Sequence, residues 1–457
     1  MMHDHSHDHY EKPTGLIFFP AFDWAISRTH PEREERLLYT RDQIFEEGIM
    51  DLPQIREYAP ILATAHDIAR THFCVPRVED QVTEAHLIAA GAAILLADEI
   101  ASGRLENGFA LVRPPGHHAM RVVHGNRGFC NINNEAIMVD YLRRHHGKKR
   151  VAIVDTDVHH GDGTQNIFWH DPDVLCISFH QDGRTIYPGT GFANELGGPG
   201  AYARTLNIPL PPGTADEGVL YVVDNLILPI LNDFKPDFIV NSAGQDNHYT
   251  DPLGSMRVTA RGYARLTEKL RPDLAVLEGG YAIETALPYV NMGIILALAG
   301  LDYSNVCEPD LQTFTESRSL TDNIHKTVDL LLETWEKRDL IPPNPKYVKD
   351  NYFQQSKRIY YDTDGINENQ SEKLRLCGHC PGYLIIETDA SSGYGGSGKA
   401  LCISLPFTAC PKCISEAEDL YAGAKKAGGY RYIYLQDKPA DVFLSYDSAA
   451  RQEYTYK

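Results

Sequence analysis

The chain has 457 residues, 43% hydrophobic and 23% charged, which fits a globular protein of two or three domains and excludes a disordered or fibrous chain. With 43 Lys and Arg against 62 Asp and Glu, the net charge is −19, so a nucleic acid is not an expected partner, whereas attraction to lysine-rich peptides is compatible with it. Nine cysteines are too few, and odd in number, for a disulfide scaffold, and no run approaches the ~20 apolar residues of a membrane helix.

The chain opens with MMHDHSHDHYEKP (1–13), a His/Asp-rich segment without an apolar core. It reads as a disordered tail rather than a signal peptide, and a cytoplasmic location follows. From residue 14 to 340 the chain alternates short apolar runs with helical patterns. The runs are Leu16–Phe19, Phe109–Val112, Val151–Val154, Val174–Ser178, Phe238–Ser242 and Leu274–Leu277. The helical patterns between them include Thr83–Ile100, Asn134–Arg144, Glu217–Leu231 and Thr259–Lys269. This alternation predicts an α/β fold, a mainly parallel central sheet covered by helices in three layers. Ligands of such sheets bind where the strands end, so the residues just after each run carry the functional argument.

After the Phe109–Val112 run comes RPPGHHA (113–119). Its adjacent His117 and His118 could move protons at a reacting group. The Val151–Val154 run continues into DTDVHHGDG (155–163). Side chains two apart share a strand face, so Asp155, Asp157 and His159 are expected to point together. Two carboxylates and an imidazole at the end of a buried strand are costly without a cation. Asp246, in SAGQDNHYTDPLG (242–254) after the next run but one, completes a ligand set with Asp157 and His159. Three ligands with an open position suit catalytic Zn²⁺. After Leu274–Leu277 comes LEGGY (277–281). Its glycines, Gly279 included, allow close backbone approach, and Tyr281 offers a hydroxyl donor.

Taken in order, RPPGHHA, GFCNINNEAI (128–137), DTDVHHGDGTQNIF (155–168), SFHQDGRTIYPGTG (178–191), NIPLPPGT (207–214), SAGQDNHYTDPLG and LEGGY resemble the motifs of the histone deacetylase family. The likeness extends back to THPEREERL (29–37) and is closest to class II members of bacterial or archaeal type. The resemblance implies the arginase–deacetylase fold. It implies that Asp157, His159 and Asp246 hold the catalytic zinc, and that His117 and His118 are backed by Asp155 and Asp162. Tyr281 would polarise the acyl carbonyl, while Phe129 and Tyr187 would line an acyl-lysine tunnel and Gly128 would contact the substrate. The carbonyls of Asp155, Asp157, His159 and Phe179, with the Ser178 hydroxyl, would bind K⁺. Leu253 stands where polyamine-preferring relatives carry an acid, which favours acyl-lysine in peptides. Gln245 and Asn247 replace an aromatic residue and an alanine of the family pattern beside Asp246.

From IPPNP (341–345) the composition becomes polar, and 341–372 reads as a linker. Residues 373–457 hold Cys377, Cys380, Cys410 and Cys413 in two Cys-x-x-Cys knuckles, around the loop SSGYGGSG (391–398). Four thiolates at this spacing predict a structural zinc in a small β-rich, zinc-ribbon-like domain. Substrate docking or self-association through it is open.

The reading is a zinc-dependent hydrolase removing the acyl group of Nε-acetyl-lysine, or a longer acyl-lysine, in proteins or peptides. A small-molecule amide deacetylase and a non-catalytic acyl-lysine binding module are the alternatives. Retention of both histidines, the three ligands and Tyr281 disfavours the last.

Overall fold

The structure, a computed structural model, describes residues 12–340, 345–393, 395–396 and 398–457. The His-rich start up to residue 11 lies outside the described residues, as do 341–344 of the expected linker and 394 and 397 of the glycine loop.

Eight strands form one wholly parallel sheet. They are β1 (Thr14–Phe19), β2 (Ile55–Glu57), β3 (Asn107–Val112), β4 (Val151–Asp155), β5 (Val174–Gln181), β6 (Thr205–Leu210), β7 (Phe238–Ala243) and β8 (Leu274–Leu277). Their spatial order is β2–β1–β3–β8–β7–β4–β5–β6. The central strands are buried and mostly apolar because both faces are covered. Alternate residues of one strand feed different cores: Ala152 and Val154 join Leu175, Leu226 and Leu277, whereas Val151 and Ile153 join Ala93, Met138 and Val276. Helices Glu84–Ala101 and Asn134–His145 cover the second face, and Ala260–Leu270 and Leu287–Leu298 the first. This gives the expected three layers.

Two sheet strands escape the sequence pattern. β2 buries only Ile55, and β6 (TLNIPL) carries a proline and an asparagine. The helix expected over Glu217–Leu231 runs from Asp216 to Phe234 with a π segment, Val223–Ile227, inside it.

The linker expectation for 341–372 is corrected. Tyr352–Tyr361 and Ile366–Arg375 are paired antiparallel strands of a second sheet, which continues through Leu384–Ser392, Ala400–Leu405, Tyr432–Asp437, Val442–Asp447 and Gln452–Tyr456. The hairpin looks polar because its buried face is polar: Glu368, Gln370 and Glu372 are buried. Lys357 reaches Glu372 at 3.0 Å, and Tyr361 Oη lies 2.8 Å from Glu368. Alternation of polar groups on the buried face leaves no hydrophobic signal to read. Cys377 and Cys380 follow this hairpin, while Cys410 and Cys413 open a helix, Pro411–Ala427, packed on the second sheet. The domain is therefore β-rich, as expected, with one long helix packed on its sheet.

This second unit is docked on the first. Leu374, Leu384, Ile386 and Tyr434 pack against Phe73, Val75 and Val122. The buried Lys438 ammonium donates to Asp140 at 2.6 Å, and Gln436 Nε2 donates to the Ala69 carbonyl.

Candidate active site

Strands β3, β8, β7 and β4 are consecutive neighbours in the sheet. The loops that follow them carry His117 and His118, Tyr281, Asp246, and Asp157 with His159. Four separate motifs therefore meet at one edge, as the rule for parallel sheets requires.

β4 ends at Asp155, so the strand alternation expected for Asp155, Asp157 and His159 stops there. Asp155 Oδ2 turns to His117 Nδ1 at 3.0 Å, the contact the family resemblance implies. Asp157, His159 and Asp246 converge: His159 Nδ1 lies 3.0 Å from Asp157 Oδ1 and 3.1 Å from Asp246 Oδ2. Their ligand atoms all lie within 4.8 Å of one another. Asp157 and Asp246 are fully buried, and no Lys or Arg side chain forms an ion pair with either among the described residues. Two buried carboxylates with one imidazole and no Lys or Arg partner among the described residues fit a divalent cation, and this nitrogen–oxygen set with an open side fits Zn²⁺. Gly279 N–H donates to Asp157 Oδ2 at 2.7 Å. A Cβ at Gly279 would stand 2.2 Å from Asp246 Oδ2, so only glycine fits.

The tandem histidines are held from behind. Glu278 Oε2 accepts the N–H groups of Gly116 and His117 at 2.7 and 3.0 Å. His118 Nδ1 lies 2.8 Å from Asp162 Oδ1, and Arg127 caps the other carboxylate oxygen. Burial opposes charge on His117, but Asp157 and Asp155 outweigh it and push its pKa up to about 10. A cation on Asp157 would weaken that pull. For His118, burial and the His117 charge push the pKa down to about 3 against the pull of Asp162. Arg127 and His118 hold Asp162 below the usual carboxylate range despite its burial. The two rings are thus shifted in opposite directions, His117 by the carboxylates beside it and His118 by burial and by His117.

Tyr281 is only 8% exposed, and burial pushes its phenol well above the ordinary value. It stays a proton donor. Asp251 Oδ2 fixes it by accepting the N–H groups of Tyr281 and Ala282 at 2.6 and 3.2 Å. His117, His118, His159 and Tyr281 all face one cavity of about 450 Å³. Phe129 and Tyr187 form its walls, with Gly128 and Leu253 also lining it. The Phe129 ring meets Tyr281 edge-on at 5.6 Å, and Tyr187 meets His118 at 5.2 Å. Gln245 and Asn247 do not line it. Gln245 donates to Asn291, and Asn247 Nδ2 donates to the Thr156 carbonyl at 2.8 Å. Cys130 is a buried core residue whose thiol burial pushes well up.

Asp155 and Ser178 are directly opposed across β4 and β5, with Phe179 next along β5. Ser178 Oγ lies 2.8 Å from His180 Nδ1. In the second unit Cys377 and Cys410 sulfurs are 3.8 Å apart and Cys380 and Cys413 sulfurs 3.5 Å. A tetrahedron with ~2.3 Å zinc–sulfur bonds has edges of ~3.8 Å, so the four thiols fit Zn²⁺. Hydrogen bonding from the His379 N–H lowers the Cys377 pKa to about 6, which favours the thiolate a metal needs.

Three features were missed from sequence. Arg36, inside THPEREERL, is fully buried; it donates to the Gly280 carbonyl at 2.7 Å and to the Glu278 carbonyl, pairs with Glu32 at 2.8 Å, and lies 4.8 Å above the Tyr281 ring. The i,i+4 spacing of Glu32 and Arg36 was its only signal. Glu278 and Glu135 are buried against each other, and burial raises both, Glu135 to about 7. Asp362, from the expected linker, lines the cavity.

The Histone deacetylase domain model matches residues 74–294. A probable deacetylase of Archaeoglobus fulgidus is 45% identical over 325 residues, covering 65% of this chain and 89% of that protein. This chain belongs to the histone deacetylase family. A histone deacetylase-like amidohydrolase of Pseudomonas aeruginosa is 35% identical over 291 residues, covering 62% of this chain and 70% of that protein. Among solved structures, the HDA15 HD domain aligns with a TM-score of 0.62 at 30% identity, over 72% of this chain and 97% of that one. The parallel eight-stranded sheet is that of the arginase–deacetylase fold. As a histone deacetylase family member the chain is a hydrolase of the deacetylase and amidohydrolase class. Arg36, Asp362 and the four-cysteine cluster all lie outside the matched domain. No helix among the described residues is long and apolar enough to cross a membrane.

Proposed function

We propose that this histone deacetylase family member hydrolyses the acyl amide of Nε-acyl-lysine in proteins or peptides. The observation that carries the reading is the single cavity onto which His117, His118, His159 and Tyr281 open, between the aromatic walls Phe129 and Tyr187. Aromatic walls suit the methylene stem of a lysine side chain. Asp157, His159 and Asp246 would hold zinc, which when bound supplies a Lewis acid for the acyl carbonyl and acidifies a water.

The rest is done by side chains. His118, oriented by Asp162 and kept neutral, takes the proton of the attacking water at its free Nε2 and returns it to the leaving lysine nitrogen. His117, held by Asp155 and Glu278, carries positive charge beside the developing oxyanion. Tyr281 donates its hydroxyl to the same oxygen, and because its phenol is buried that bond strengthens as charge builds. Phe129, Tyr187 and Leu253 hold the stem and keep bulk water from the amide.

Two further site roles belong to the reading. The carbonyls of Asp155, Asp157, His159 and Phe179, with Ser178 Oγ, would take K⁺ and brace the loop that carries the zinc ligands. Cys377, Cys380, Cys410 and Cys413 would hold a structural zinc that joins the second hairpin to its helix.

Leu253 on the cavity wall, an apolar side chain rather than an acid, supports peptide acyl-lysine over acetylated polyamines. The test is a panel of acyl-lysine peptides, acetylated polyamines and small amides, assayed with the zinc-loaded protein. Acetate release from acetyl-lysine peptides, abolished by chelation and by Asp157→Ala, is expected. Turnover confined to polyamines or small amides overturns the substrate assignment. Full turnover after complete metal removal overturns the chemistry.

A further inference from the structure

The turn 362–365, between strands Tyr352–Tyr361 and Ile366–Arg375 of the second sheet, reaches the mouth of the cavity. It is fixed there on both sides. Tyr361 is buried with its Oη 2.7 Å from the Val122 carbonyl, and Arg127 Nη1 donates to the Tyr360 carbonyl at 2.6 Å. From this anchored turn two carboxylates grip the loop that carries Phe129. Asp364 Oδ2 accepts the Asn126 N–H at 2.6 Å and the Asn126 amide at 3.1 Å. Asp362 Oδ1 accepts the Gly128 N–H at 3.0 Å and the Tyr187 hydroxyl at 3.1 Å.

One carboxylate oxygen thus ties both aromatic walls together. The backbone shows why a tie is needed. Gly128 and Phe129 are consecutive left-handed residues, at φ +50° and +70°. Phe129 has a Cβ, and a non-glycine residue in that region costs on the order of 1 kcal/mol and persists only where its surroundings hold it. The Gly128 N–H is held by Asp362 alone among the described residues. Asp362 Oδ2 takes no hydrogen bond from a described residue, and Asp362 lines the cavity. The nearby Arg127 forms its ion pair with Asp162, and no Lys or Arg forms an ion pair with Asp362 among the described residues.

We propose that Asp362 is a positioning and specificity residue supplied to the active site by the second domain. Through Oδ1 it fixes the Phe129 and Tyr187 walls. Through Oδ2 it favours acyl-lysine flanked by cationic side chains over acyl-lysine flanked by acidic ones. The selectivity half rests on the acyl-lysine reading above; the wall half does not.

The experiment uses the full zinc-loaded chain, with Asp362→Ala and Asp362→Asn. Hydrogen exchange of segment 125–130 is read beside steady-state kinetics on acetyl-lysine peptides with Lys, neutral or Glu neighbours. Asp362→Ala should speed exchange of that segment by about tenfold or more and raise KM about tenfold, with kcat changed less than about threefold. Asp362→Asn keeps an acceptor oxygen, so exchange should return toward the wild-type rate, while the preference for Lys-flanked over Glu-flanked peptides falls by about fivefold, the scale of one exposed charge pair. Unchanged exchange in Asp362→Ala overturns the wall role, and an unchanged flanking preference in Asp362→Asn overturns the selectivity. If the wild type hydrolyses only acetylated polyamines, the acyl-lysine reading and the peptide preference fall together, while the exchange measurement still decides the wall role.

Discussion

His118 and Asp162 face each other at 2.8 Å, Nδ1 to Oδ1, with Arg127 on the second oxygen of the same carboxylate. The carboxylate is thereby kept ionised, the ring is locked as the Nδ1–H tautomer, and Nε2 is left open toward the cavity. Asp162→Asn removes the charge and permits the opposite tautomer. We expect kcat to fall by roughly 10²–10⁴-fold with KM changed less than about threefold, measured on an acetyl-lysine peptide. A fall confined to KM would remove His118 from proton transfer.

Tyr281 has its backbone N–H pinned by Asp251 at 2.6 Å and its phenol buried. Its role lies in the transition state. Tyr281→Phe should lower kcat by about 10²–10³-fold and leave substrate affinity nearly constant. Because the phenol pKa is raised, the wild-type rate should show no alkaline loss attributable to tyrosine ionisation below the ordinary phenol pKa of about 10. Equal rates for both proteins would remove Tyr281 from the chemistry.

The two ligand clusters predict two zinc ions per chain, lost independently. Native mass spectrometry should show one zinc fewer in Asp246→Ala and one fewer in Cys413→Ser. The cysteine variant should lose stability through its metal, with Tm lower by on the order of 5 °C or more. A Cys413→Ser protein with unchanged zinc content would overturn the structural site.

Arg36 is fully buried between Glu32 and the carbonyls of Glu278 and Gly280. Arg36→Met leaves those acceptors without their donor. The expected cost is about 3–5 kcal/mol of unfolding free energy in urea. It should also loosen Tyr281, whose ring it covers, so kcat should fall as well. A variant as stable as the wild type would show that water replaces the guanidinium.

The sheet was legible in the sequence wherever a strand was apolar on both faces, as in Val151–Val154 and Leu274–Leu277. The catalytic cluster was legible because its residues sit at strand ends in long motifs, and local sequence places a residue at a strand end. What local sequence cannot place is an interaction across hundreds of residues. The strand alternation grouped Asp155 with Asp157 and His159, but the strand stops at Asp155, and its carboxylate goes to His117, 38 residues away, as only the family resemblance implies. Arg36 meets Gly280 across 244 residues, and Asp362 meets Gly128 across 234.

The sequence by itself determined the parallel α/β class, the family and the chemical inventory: three ligands, two histidines, one tyrosine and four cysteines. Hydrophobic periodicity and motif spacing are local properties, so they survive in a one-dimensional reading. Only the tertiary structure decided that β3, β8, β7 and β4 lie side by side, which brings the inventory to one cavity. Only it showed the expected linker to be a hairpin whose polar inner face is held by hydrogen bonds and ion pairs, and whose turn sets Asp362 at that cavity's mouth. Burial and hydrogen bonding between distant segments depend on the packed chain, and no local pattern encodes them.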